Sequence, residues 1–213
     1  MLLACAAVAF CRLSYAFDDN DYQYWNTECV SWSLKKDWKM QFEQEFRLGD
    51  NGSNLYYEHS DIGVAYSGAA KWLELAVNYR HILEEKKSKW KEENMPHMSA
   101  TLKWKMFDFS LSNKMKFEYK NRQDAEDYWR YTNKLTITPP CKFTRKEIQP
   151  YVADEIYYDF DKQSLNVNRL YGGLTFKLFK NVGFDIYYLW QASKQSKKWS
   201  DLNILGTKLK ITF

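Results

Sequence analysis

No stretch of the chain approaches the ~20 consecutive apolar residues of a membrane helix, and mean hydropathy is −0.64. Taken alone, those two facts describe a soluble protein. They say little about strands, which cross a bilayer with only every second residue apolar. Histidines are few: His59, His81 and His97 lack metal-ligand spacing, so no metal site is expected. There is no Gly-rich phosphate loop, because Gly172-Gly173 falls inside a strand, where it relieves crowding. Of four cysteines, Cys5 and Cys11 sit in the amino-terminal apolar run. Cys29 and Cys141 are too isolated for a disulfide scaffold. Lys and Arg number 31 against 27 Asp and Glu, and this near-balance implies neither a nucleic-acid nor an acidic partner. Nothing calls for a cofactor.

What the chain has in excess is aromatic rings: 16 Tyr, 13 Phe and 9 Trp, or 18% of residues. A soluble protein of this size has little reason to carry so many, whereas a membrane barrel needs two interfacial girdles of them. The last segment is equally telling. Leu205, Thr207, Leu209, Ile211 and Phe213 alternate with Gly206, Lys208 and Lys210, a period of two that means a strand with one apolar face. It ends on an aromatic residue, as the last strand of a closed barrel does. Leu209, Ile211 and Phe213 resemble the signal by which outer-membrane barrels are recognised by the assembly machinery. At the other end, Leu2 to Cys11 is apolar but too short to span, and Ser14-Tyr15-Ala16 offers small residues for a signal peptidase. The expectation is a signal peptide at 1–16, although a basic segment before it is lacking, and one barrel domain at 17–213.

Between the ends, alternating segments are separated by turn-rich connections. In Trp38–Leu48, Trp38, Met40, Phe42, Phe46 and Leu48 face one way, and Lys39, Gln41, Glu43, Glu45 and Arg47 the other. Leu73, Leu75, Val77 and Tyr79 alternate with Glu74, Ala76, Asn78 and Arg80 in the same way, and later segments follow suit. Alternation alone fits a lipocalin-like sandwich as well as a membrane barrel. The placement of aromatics separates them: Trp32, Trp38, Tyr66, Trp72, Trp104 and Phe109 flank short turns, while Tyr57, Tyr119, Trp129 and Trp190 flank longer loops. Two belts at two depths match two membrane interfaces. Eleven segments can be counted, but an even number is usual for a bacterial single-chain barrel. The expected fold is therefore an all-β, single antiparallel up-and-down transmembrane β-barrel of about 10–12 strands.

Glu45-Phe46-Arg47, Asn94-Met95-Pro96-His97, Asp154-Glu155 and Asn168-Arg169-Leu170-Tyr171-Gly172-Gly173 resemble a family of secreted Gram-negative proteins of unknown function, thought to be outer-membrane barrels. The resemblance covers essentially all of 17–213. It implies fold and location, and no activity.

The polar face collects Glu43, Glu45, Arg47, His59, Asp61, Asn78 and Arg80 on consecutive strands, and a hairpin near Lys162 sets Glu155 opposite Arg169. These charges are expected to meet in the bore and satisfy one another, or to form a constriction that selects solutes by charge. The lysines Lys103, Lys105, Lys114, Lys116 and Lys120 favour anionic solutes, or else snorkel at the rim. His59-Ser60-Asp61 suggests a hydrolase, yet adjacent strand residues point to opposite faces. The expected role is a small passive porin-like pore or a structural barrel in the outer membrane, not an enzyme, in contact with lipid and lipopolysaccharide. The alternatives are a lipid-modifying, acyl hydrolase-like barrel and a soluble secreted lipocalin-like binder.

Overall fold

The computed structural model describes residues 21–195 and 198–213. The expected signal peptide, 1–16, lies outside them. Eleven strands form the described chain: β1 (Asp21–Lys35), β2 (Trp38–Gly49), β3 (Asn54–Ala70), β4 (Leu73–Lys86), β5 (Lys89–Met106), β6 (Phe109–Arg122), β7 (Tyr128–Thr138), β8 (Gln149–Asp159), β9 (Ser164–Phe179), β10 (Val182–Gln195) and β11 (Lys198–Thr212). Each pairs with its sequence neighbours, and β1 pairs with β11 to close the barrel. Closure leaves no edge strand with unpaired amides.

The seam departs from a purely antiparallel barrel. With an odd strand number the first and last strands run the same way, and β1 pairs β11 in parallel from Asp21↔Leu202 to Ser31↔Thr212. Asp21 and Phe213 therefore lie at opposite mouths. Phe213 is tied into the seam: its amide donates to the Ser31 carbonyl at 2.9 Å, its carbonyl accepts from the Ser33 amide at 3.0 Å, and its ring stacks on Trp32.

The side chains divide as the alternation requires. Phe42, Ile62, Leu75, Val77, Met98 and Phe117 are exposed on the outer surface, while Glu45, His59, Asp61, Glu118 and Glu155 are buried inside. A soluble sandwich would show the reverse. Of the few polar groups facing outward, several satisfy one another, as burial in an apolar medium demands: Asn168 donates to Asp154 at 2.6 Å and Asn133 to Asn113 at 2.9 Å.

Short hairpins join most strands. Lys87-Ser88 and Phe107-Asp108 have positive φ at both residues, the twist that two-residue hairpins favour. The longest connection, 139–148, lies at the carboxy-terminal mouth, among the short turns. Pro139-Pro140 ends β7, and a bridge between Phe143 and Ile148 organises the excursion. Aromatic belts occupy both rims, with Trp38 against Tyr66 at one and Tyr119 against Trp129 at the other. Tyr57 is a correction. It does not belong to the belt but turns inward and is buried, because it shares the parity of His59 and Asp61, with no register shift between them.

Candidate functional site

Register brings the bore charges together. Glu43 lies opposite Asp61, and Glu45 opposite His59, across β2 and β3. Asp61 in turn faces Arg80 on β4, and Glu155 faces Arg169 across β8 and β9. The side chains use this placement fully. Glu43 accepts from Lys208 Nζ at 2.8 Å, and from Arg80 Nη2 at 3.2 Å. Its other neighbours are His59 Nε2 at 3.2 Å and Cys29 Sγ at 3.1 Å. Asp61 accepts from Arg80 Nε at 2.7 Å and Asn78 Nδ2 at 2.7 Å, and its Oδ2 lies 2.8 Å from His97 Nε2. Glu45 accepts from Arg47 Nε at 2.6 Å and Thr27 Oγ1 at 3.0 Å. Buried charges are tolerable only when paired and hydrogen-bonded in this way.

Glu43, Glu45 and His59 also present ligand atoms within 4.8 Å of one another, close enough to share a cation. Their carboxylates already meet Arg47, Arg80 and Lys208, so a metal would have to displace these or add to them. Ser60, by contrast, faces outward and bonds Gln44. It cannot reach the site of its neighbour His59.

Towards the mouth that carries Asp21, rings and guanidiniums stack within the bore. The Arg47 guanidinium sits between Tyr57, 4.0 Å from its carbon, and Trp25 at 3.8 Å. The far side of Trp25 meets Arg169 at 4.9 Å. Arg169 lies 4.8 Å from Tyr157, and Arg130 approaches the same ring at 4.9 Å. Cations and rings thus alternate from β3 through β2 and β1, across the bore to β9, then along β8 to β7. Cation–π contacts of this kind strengthen when desolvated, to about 2 kcal/mol each. Apolar side chains fill the space around the stack: Tyr56, Ile82 and Met95 on one side, Leu189 and Ile204 on the other.

Below the stack the bore opens. A cavity of about 290 Å³ is lined by Cys29, Glu43, Asp61, Arg80, Lys114 and Lys208, among others. It faces the carboxy-terminal mouth, with Ile211 and Thr212 at its edge.

Sequence reasoning found the acids and their arginines but missed the residues of the stack. Trp25, Arg130, Tyr157 and Glu118 were legible only as inward positions. Trp25 offered the one available signal, a tryptophan on the same face as Gln23 and Thr27 rather than among the outward aromatics.

Residues 22–202 match the family described as "Protein of unknown function (DUF2490)". The chain belongs to that family. No curated protein matches it. Among solved structures it is similar to LpxR from Salmonella typhimurium, at 10% identity and a TM-score of 0.49. The likeness covers 82% of this chain and 83% of that one. It is a likeness of barrel fold, of outer-membrane type. The expectation that this chain is not an enzyme is withdrawn, and the likeness, at a TM-score of 0.49, assigns it no activity. At this identity no residue acquires a role from the comparison.

Proposed function

We propose that this DUF2490 protein resides in an outer membrane, in contact with lipid and lipopolysaccharide and inserted by the barrel-assembly machinery. In this reading it is a structural barrel whose charged bore is closed at rest, leaving a vestibule that takes up small solutes from the carboxy-terminal mouth. It is not a standing passive pore. The observation that supports this is the contact between Trp25 and Arg169, strands that are not neighbours, which puts a ring and a guanidinium across the line of any through-channel.

The test is planar-bilayer conductance of the purified protein. The wild type is expected to show no steady current, and Trp25→Ala to show frequent openings, since it removes the ring between two guanidiniums. Steady ohmic conductance in the wild type would refute the closed bore.

A further inference from the structure

Lys114 and Lys134 are direct cross-strand partners on the inward face of β6 and β7. Like charges so placed destabilise a sheet. A bore that pairs nearly every other charge has left this one conflict standing. Among the described residues, Lys114 makes no ion pair or hydrogen bond, and its side chain is solvent-exposed within the vestibule. The Lys134 ammonium rests 3.5 Å from the centre of the Tyr171 ring. Its nearest acid, Glu155, already accepts from Tyr171 Oη at 2.7 Å and lies 3.7 Å from Arg169. Lys208 of β11 comes within electrostatic reach of both lysines from across the bore. Five cations line the cavity (Arg80, Lys114, Lys116, Lys208, Lys210) against two acids, Glu43 and Asp61. Lys134 has Glu155 as its direct partner across β7 and β8, so the charge left without compensation is that of Lys114. A local rule broken in this way points to function, and the partner Lys114 lacks is an anion.

We propose that the vestibule binds a phosphate-class oxyanion, with Lys114 as its principal donor, Lys208 completing the cradle and Lys134, beside Lys114 on β7, adding its charge. Lysine suits this task as a compact point charge with three donors. A dianion with several acceptor oxygens offsets more than one ammonium charge at once and accepts from each through a separate oxygen, which a chloride ion does not do. The phosphate belongs either to a free small molecule or to a lipid headgroup reached from the carboxy-terminal mouth. The inference needs the vestibule to be wet and does not depend on the bore being closed, so the conductance result and the binding result stand or fall separately.

The test is titration calorimetry on the full chain in detergent, with inorganic phosphate in one arm and mixed micelles of phosphatidic acid in the other. Phosphatidylcholine micelles and chloride serve as controls. Binding in the first arm identifies a free phosphate; binding in the second alone identifies a headgroup. In either case Lys114→Gln and Lys134→Gln are each expected to weaken binding about tenfold or more, equivalent to about 1.4 kcal/mol. The exposed Lys177→Gln should have no effect. Without ligand, Lys114→Gln should melt higher than the wild type, because it relieves the repulsion and removes no partner; a lysine with a purely structural role would not behave so. No binding in either arm, or binding indifferent to both substitutions, would overturn the proposal.

Discussion

The Arg169 guanidinium lies 4.9 Å from the centre of the Trp25 ring, although β9 and β1 are separated in the barrel by β10 and β11. Most contacts in a barrel join adjacent strands; this one braces the wall across a chord that skips two strands. A double-mutant cycle with Trp25→Leu and Arg169→Gln, followed by urea unfolding in micelles, should give a coupling energy of about 1–2 kcal/mol. Additive effects would mean that the two groups are neighbours without being partners.

Glu118 is fully buried and ion-paired with both Arg130 and Lys116. Neutralising it strands two cations in the bore. Glu118→Gln should lower stability by about 3–5 kcal/mol, the usual consequence of breaking a buried pair from one side. Adding Arg130→Gln should recover part of that loss. A Glu118→Gln chain as stable as the wild type would show that water reaches the pair.

Tyr187 lies flat over Gly206, its register partner on β11. A Cβ built at Gly206 would fall 2.1 Å from the ring, and one at Gly173 would fall 2.7 Å from Tyr151. Gly206→Ala should therefore cost about 1–3 kcal/mol through overpacking, and Tyr187→Ala in the same chain should relieve it. Equal melting of Gly206→Ala and the wild type would mean that the ring has room to move.

The fold was legible in the sequence because alternation assigns each side chain to a face, and a turn centre assigns register. Phe42 and Glu43 could be placed on opposite faces, and Glu155 opposite Arg169, from these two facts alone. Alternation carries no information about what lies across the bore, so the Trp25–Arg169 contact was invisible. Tyr57 was misplaced although it shares the parity of His59 and Asp61, because it was assigned by its nearness to a loop; the register shift beside it, which leaves Tyr56 buried as well, is not announced by Leu55-Tyr56-Tyr57. The parallel seam was legible as a conflict of parity: eleven segments were counted against an expected even number, and the barrel keeps eleven by running β1 alongside β11. The cross-strand pair of Lys114 and Lys134 needed the β6–β7 register, which the five-residue loop 123–127 leaves open in the sequence.

The account depends on the apolar side chains touching acyl chains while the charged ones face the bore. Nitroxide scanning of β4 tests this directly in liposomes, with cysteines placed singly at Leu75, Ala76, Val77, Asn78 and Tyr79 in a background lacking Cys29 and Cys141. Collision with dissolved oxygen, which concentrates in the bilayer, should peak at positions 75, 77 and 79 and fall at 76 and 78. A flat profile, or maxima at 76 and 78, would contradict it.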